Sequence, residues 1–190
     1  MVVTPQQVRL ILAGRLHTDD RVGPPRLSLP HSTRACMNHP LELRIPPAVL
    51  FLLAAVAELG LGRLGALPLP AVAASPILKS GLMVLGGLTV LLGVVQFVRA
   101  RTTVDPTKPG TASSLVSGGI YRVTRNPMYL GMLLMLLALL IRAGDWLALI
   151  PLIGFVLWMN RFQIRPEERA LTEVFGAEYT AYCERARRWI

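Results

Sequence analysis

Charged residues, aromatic residues and cysteine are all scarce in this sequence. Charged side chains make up 16% of its 190 residues and hydrophobic ones 53%, a composition too apolar for an ordinary soluble domain. Cys36 and Cys183 stand far apart and form no CxxC motif, so no disulfide framework is indicated. We therefore expect a membrane protein with two free thiols.

Histidine is too sparse and too poorly placed for a metal site. His17, His31 and His39 all precede the first long apolar run, and none stands beside Glu167 and Glu168. Because zinc needs three or four His, Cys or carboxylate ligands close together, we predict no metal.

Acidic residues are outnumbered by basic ones, 11 against 20, which gives a formal net charge of +9. A nucleic-acid surface would need aromatic side chains between the cations for base stacking, and aromatic residues are only 6% of the chain. The arginines flank apolar runs instead, as juxtamembrane charges do. We predict a lipid bilayer as partner and no nucleic acid.

Four apolar segments predict an all-α membrane bundle, with helices near 47–67, 77–98, 127–141 and 146–162 and a polar tail helix near 166–187. A span needs roughly 20 residues at 1.5 Å each to cross about 30 Å of hydrocarbon. Arg142 and Asp145 are expected to hold a tight turn at the water surface. Glu58 interrupts the first segment, and we expect an interior polar contact there, with a functional role as the alternative.

Residues 1–36 are basic and contain proline but no sustained apolar period. This pattern predicts a disordered leader or a start site assigned too early, with Met37 as the hypothetical first residue and 37–190 as the membrane domain. The loop after the second apolar segment and the tail after the fourth are rich in arginine. By the positive-inside rule, both termini are expected on the cytoplasmic side of the cytoplasmic (inner) membrane.

The most informative stretch is SGGIYRVTRNPMYLG, at 117–131. Asn126 can cap a helix that starts at Pro127, which leaves backbone amides pointing out of the helix mouth. Arg125 would add a guanidinium to that positive end. The pattern indicates an anion site; the alternative is a capped membrane helix with an interfacial tyrosine.

A second polar stretch, RPEE at 165–168, begins the tail helix. Proline at the first position and acids in the first turn are typical of an ordinary helix start. A glutamate there could equally accept hydrogen bonds from ribose hydroxyls or an ammonium, and Arg165 could bind an anionic substrate group. Tyr179, Tyr182 and Trp189 follow as expected interfacial anchors.

Together with TTVDPTKPG, these motifs and the tail RPEERALTEVFGAEYTAYCERARRWI resemble the isoprenylcysteine carboxyl methyltransferase family and the related phospholipid methyltransferases. The resemblance covers about half of the chain. It implies a methyltransferase that uses S-adenosylmethionine, with a cofactor pocket on the cytoplasmic side and a lipophilic acceptor that enters from the bilayer.

The resemblance also implies roles for individual residues in substrate and cofactor binding. Arg165 would steady the substrate and Glu168 would act beside it at the catalytic centre. The resemblance implies cofactor contacts from Tyr121, Arg125, Asn126, Tyr129, Gly131, Glu167 and Glu168.

One position departs from the family, which often has histidine where Asn126 stands. Asparagine does not titrate near neutrality, so a base at this position is in doubt. Methyl transfer needs chiefly positioning, and without a base the sequence favours an acid or thiol acceptor, or a small apolar one, over an amine.

The sequence leaves two other functions open. Sterol reductases share an Arg-Asn-Pro-x-Tyr-like element and use NADPH, but they contain more membrane helices than this chain can supply. A non-enzymatic module that binds anionic lipid headgroups is the other alternative.

Overall fold

The computed structural model describes residues 40–70, 75–99 and 115–190. Regular structure within these ranges is entirely helical, and extended residues pair there only as two isolated bridges. The predicted all-α class is confirmed for this part of the chain. The predictions about the leader 1–36, the start at Met37 and the TTVDPTKPG motif concern residues outside the described ranges.

The described residues form six α-helices. They are α1 Pro47–Gly62, α2 Pro76–Arg99, α3 Pro127–Ala143, α4 Leu149–Trp158, α5 Arg165–Phe175 and α6 Ala177–Arg185. The first helix ends five residues earlier than predicted, and the chain after it bonds to the distant turn after α3. Trp146 N donates to Leu67 O at 2.8 Å and Leu69 N to Gly144 O at 2.8 Å.

The predicted break between the fourth membrane helix and the polar tail helix is wrong. A π-helical turn, Met159–Ile164, joins α4 to α5, and a 3₁₀ turn, Trp146–Ala148, leads into α4. One continuous helix therefore runs over Trp146–Phe175. The π-helical turn precedes Pro166, whose ring would clash with the carbonyl four residues earlier in a regular helix. That carbonyl, of Phe162, accepts a hydrogen bond from Leu43 N at 3.0 Å instead. The helix ends at Gly176, where φ is +51°.

Close contacts between small residues set the order of the helices in the bundle. A Cβ added to Gly62 at the end of α1 would lie 2.7 Å from Ala143 Cβ at the end of α3. Gly86 of α2 and Gly131 of α3 approach equally closely at the helix crossing. The start of α1, the end of α2, the start of α3 and the π-helical turn consequently share one end of the bundle.

Asp145 lies at the opposite end of the bundle. It is 1% exposed and accepts hydrogen bonds from Leu67 N at 3.0 Å and Leu147 N at 2.8 Å. Its predicted place at the water surface is therefore wrong. Burial is favourable because the carboxylate pairs two backbone amides that no helix satisfies.

Glu58 is fully buried in α1, which packs against α3 and α4. Its interior position agrees with the prediction, but the expected polar contact does not form. Neither carboxylate oxygen has a hydrogen-bond partner among the described residues.

Two helical stretches, Pro76–Arg99 and Trp146–Phe175, are long and apolar enough to cross a membrane, and two shorter apolar helices accompany them, α1 and α3. Large hydrophobic side chains of these helices are exposed rather than packed in the core. They include Leu52, Leu53, Val56, Leu85, Leu88, Leu91, Ile150 and Leu157. An apolar exterior of this kind suits contact with hydrocarbon.

Candidate functional site

Two polar patches that are distant in the sequence meet at the end of the bundle where α3 begins. Tyr129 Oη donates a hydrogen bond to Glu167 Oε1 at 2.6 Å. Arg125 Nη2 forms an ion pair with Glu168 Oε1 at 3.1 Å. The structure thus brings together the helix mouth and the paired glutamates that the sequence singled out separately.

The helix mouth is shaped by the chain that leads into α3. A 3₁₀ turn, Gly119–Arg122, precedes it, and Pro127 takes the first helical position. Asn126 occupies the predicted N-cap position, but its side chain makes no capping hydrogen bond. Its Nδ2 donates to Arg188 O at 2.9 Å instead, because the C-terminal segment lies against the mouth.

Glu167 is held by two neutral donors. Besides the Tyr129 hydroxyl, Gln163 Nε2 donates to the same Oε1 at 2.6 Å, and Gln163 itself is 2% exposed. Gln163 is not among the residues predicted from the sequence, although it stands four residues before Glu167 and so on the same helix face. Two donors on one oxygen fix the orientation of this carboxylate without any cation.

Glu168 lies between two arginines. Arg188 Nε donates to Oε1 at 3.0 Å and Arg188 Nη2 to Oε2 at 2.5 Å, which is a bidentate pair. Arg125 shares Oε1. The hydrogen bond to Glu168 raises the pKa of Arg188, so its guanidinium is always charged. Arg188 is not among the residues predicted from the sequence, because no motif distinguishes it from Arg185 and Arg187 in the tail.

The C-terminal segment forms one wall of the site through its backbone. Thr124 Oγ1 donates to Arg188 O at 3.3 Å and Arg125 N donates to Arg187 O at 2.8 Å. Trp189 Nε1 donates to Asn160 Oδ1 at 3.1 Å. These bonds place the Arg188 backbone independently of its side chain.

A cluster of buried tyrosines lies beside the start of α3. Tyr121, Tyr179 and Tyr182 are each about 4% exposed, and Tyr182 Oη donates to Tyr121 O at 2.8 Å. Burial raises the pKa of Tyr121 and of Tyr182, so both hydroxyls stay protonated. Tyr179 and Tyr182 are therefore packed residues and not the interfacial anchors that were predicted.

Tyr121 is the one predicted cofactor contact in this cluster. Its ring meets Phe97 edge to face at 5.5 Å. Its buried hydroxyl has no hydrogen-bond partner among the described residues, which leaves a donor available at the site.

An open depression of about 490 Å³ follows one face of α5. The residues that line it are Arg165, Glu168, Arg169, Thr172 and Glu173. Arg165 is exposed there, as its predicted contact with a substrate requires. The depression joins the Glu168 ion pairs to the surface of the protein.

Gly131 occupies a different environment from the other predicted contacts. A Cβ at this position would lie 2.6 Å from both Gly86 O and Val90 Cγ2. Close packing of α2 on α3 accounts for the glycine, and its contact with a cofactor stays a prediction.

Part of the chain that includes most of the candidate site is similar to known proteins. Residues 76–178 match the sequence model of a family described as phospholipid methyltransferase. An uncharacterized protein of Haemophilus influenzae is 46% identical over 63 residues, which are all of that protein and 33% of this chain. No solved structure matches the chain. The described ranges contain no group of three His, Cys, Asp or Glu side chains placed to hold a metal ion.

Proposed function

The chain belongs to the phospholipid methyltransferase family, and from this we propose that it transfers a methyl group from S-adenosylmethionine to a lipophilic acceptor at the cytoplasmic membrane surface. The family match and the two long apolar helices indicate a membrane methyltransferase with a lipid-type acceptor. The cofactor, the side of the membrane and the residues of the site are the further steps of the proposal.

The observation that carries the proposal is the meeting of Glu167 and Glu168 with the mouth of α3. Two carboxylates in different surroundings stand side by side, one held by Tyr129 and one by Arg125. S-Adenosylmethionine carries an ammonium, a carboxylate and ribose hydroxyls. Carboxylates accept hydrogen bonds from an ammonium or a hydroxyl, and a guanidinium at a helix N-terminus favours a carboxylate.

The donor set and the space suit this cofactor. The buried Tyr121 hydroxyl and Arg125 Nε lack partners among the described residues, so both can bond to a ligand. The open depression of about 490 Å³ adjoins Glu168 and leads from it to the surface. We assign Tyr121, Arg125, Asn126, Tyr129, Glu167 and Glu168 to the cofactor and Arg165 to the acceptor.

S-Adenosylmethionine supplies an activated methyl group on a sulfonium. The protein's contribution is then to hold the reactants in line and to limit water at the site. Glu167, fixed by Tyr129 and Gln163, and Glu168, fixed by Arg125, provide rigid carboxylates for orientation. The apolar outer surfaces of α2 and α4 allow a lipid to approach from the side.

We further propose that all four apolar helices cross the bilayer. The helix order puts the start of α1 and the end of α5 near the same end of the bundle, which an even number of crossings requires. Arg99, Arg122 and Arg125 stand at that end, and arginine-rich ends remain in the cytoplasm. Reaction of single introduced cysteines with an impermeant thiol reagent in intact cells would test this topology.

Isothermal titration calorimetry in detergent tests the cofactor site. We expect S-adenosylmethionine to bind, Glu168→Ala and Asn126→Ala to weaken binding about tenfold or more, and the exposed control Glu178→Ala to bind as wild type does. Unchanged affinity in both site variants would refute the assignment. Binding of NADPH in place of S-adenosylmethionine would favour a reductase, and binding of neither would favour a lipid-binding module.

Transfer of radiolabelled methyl groups tests the reaction. The acceptors to compare are vesicles of phosphatidylethanolamine and a farnesylated cysteine analogue, each with wild-type protein and with Glu168→Ala. Label in either lipid that depends on Glu168 supports the proposal and identifies the acceptor class.

A further inference from the structure

Glu42 is a buried acid that the proposed function does not use. It lies in the turn before α1 and is 0% exposed. Its Oε1 pairs with Arg161 Nη1 at 3.1 Å and its Oε2 with Arg169 Nη2 at 2.5 Å. Each carboxylate oxygen thus binds one arginine of the continuous helix Trp146–Phe175.

The turn that carries Glu42 is anchored independently of this carboxylate. Leu43 N donates to Phe162 O at 3.0 Å, the carbonyl that Pro166 leaves without its usual donor. Leu43 adopts a φ of +58°, a conformation unfavourable for a bulky side chain. A strained residue retained at this bond indicates that the position of the turn is closely constrained.

Arg169 connects this turn to the candidate site. Its side chain lines the depression together with Arg165 and Glu168. Arg165 and Arg169 stand four residues apart on one helix, where two like charges repel each other. The Glu42 carboxylate offsets that repulsion and holds one nitrogen of the Arg169 guanidinium.

We propose that Glu42 is a positioning residue: it orients Arg169 at the depression and thereby sets the affinity of the enzyme for an anionic group of the methyl acceptor. This inference rests on the proposed function, because the acceptor is the ligand that Arg165 and Arg169 would bind together. Glu42 acts through Arg169 and does not touch the reacting atoms.

Steady-state kinetics on Glu42→Gln and Arg169→Gln test the inference, with Arg161→Gln as the matched control. The control removes the other partner of Glu42 and leaves the Arg169 pair intact. We expect the KM for the lipid acceptor to rise about tenfold in Glu42→Gln and Arg169→Gln, with kcat and the Kd for S-adenosylmethionine within about twofold of wild type. Arg161→Gln should change the acceptor KM less than about twofold.

The double variant Glu42→Gln/Arg169→Gln separates positioning from a general loss of structure. If Glu42 acts through Arg169, the double variant has the acceptor KM of Arg169→Gln alone, because the two effects are not additive. It also removes both charges of the pair, so it decides the question even where Glu42→Gln alone fails to fold. An acceptor KM well above that of Arg169→Gln would overturn the inference.

Equilibrium binding of a fluorescent short-chain phosphatidic acid in detergent provides a readout that needs no turnover. We expect Glu42→Gln and Arg169→Gln to weaken binding of this probe about tenfold relative to Arg161→Gln. Weaker probe binding in these variants without any methyl transfer would support the positioning of Arg169 by Glu42 but reject the proposed function, and with it the role of this contact in acceptor binding. Wild-type probe affinity and wild-type acceptor KM in both variants would overturn the inference. Methyl transfer by the same variants would still support the proposed function.

Discussion

The hydroxyl of Tyr129, one turn into α3, donates a 2.6 Å hydrogen bond to Glu167 near the start of α5. Each of the two residues has a neighbour in the sequence that belongs to an ion pair, Arg125 just before α3 and Glu168 in α5. Two contacts of different chemistry therefore hold the two helix starts together. The mouth of α3 and the glutamate pair behave as one polar unit at the end of an apolar bundle.

Replacement of Tyr129 by phenylalanine removes one of the two donors to Glu167 and leaves Gln163. We expect Tyr129→Phe to raise the Kd for S-adenosylmethionine about fivefold, because Glu167 loses its fixed orientation, and to lower stability by about 1 kcal/mol. Calorimetry and thermal unfolding in detergent measure the two effects. Thr89→Val, which removes a buried hydroxyl of α2, is the control and should leave the Kd unchanged; equal Kd values in the two variants would contradict the role of Glu167.

Arg188 donates two hydrogen bonds to the Glu168 carboxylate, and a cofactor ammonium would compete for the same oxygens. We therefore expect Arg188→Gln to bind S-adenosylmethionine about threefold more tightly, or more, since the tail stays anchored by its backbone carbonyls and Arg125 still orients Glu168. Titration calorimetry gives the comparison.

Arg187 supplies the control for that experiment, because its backbone carbonyl accepts the hydrogen bond from Arg125 N and its side chain is exposed. Arg187→Gln should bind the cofactor as wild type does. Weaker cofactor binding by Arg188→Gln would mean that the Arg188 guanidinium itself contributes to the site, contrary to the prediction.

Gly131 tests whether helix packing or cofactor contact requires a glycine. A Cβ there would collide with Gly86 O and Val90 Cγ2, so Gly131→Ala should destabilise the bundle by about 1–3 kcal/mol. Gly87→Ala adds the same methyl group where no atom lies within 4 Å, and it should be neutral or slightly stabilising. Thermal unfolding checks both; a stable Gly131→Ala that no longer binds S-adenosylmethionine would favour the cofactor contact.

Asp145 tests the turn at the opposite end of the bundle. Asp145→Ala leaves the amides of Leu67 and Leu147 without their acceptor, at a cost of about 1–3 kcal/mol for each buried donor. Arg142→Ala, an exposed change in the same connection, should have little effect on thermal unfolding. Cofactor affinity of the folded Asp145→Ala protein should match wild type, because the site lies at the other end of the helices; a selective loss of that affinity would argue against this separation.

Much of this architecture is determined by the sequence alone. Backbone groups in an apolar environment must pair within their own segment, so each long apolar run becomes a helix whatever surrounds it. Asn126 and Pro127 likewise mark the start of α3 because proline needs no donor at that position. The glutamate pair and Arg125 were recognisable because each stands close to a proline that marks a helix start, Pro166 and Pro127.

Tertiary structure decided the contacts that join distant segments. The continuous helix through Pro166 contains a π-helical turn, in which the Phe162 carbonyl accepts a hydrogen bond from Leu43 N. No local sequence pattern predicts that partner. Arg188 and Glu42 were indistinguishable from other charged residues until the folded chain placed each against a specific opposite charge. Local propensity acts over a few residues. The pairing of distant charges depends instead on the packing of the helices at their glycines, because that packing decides which helix ends lie close together.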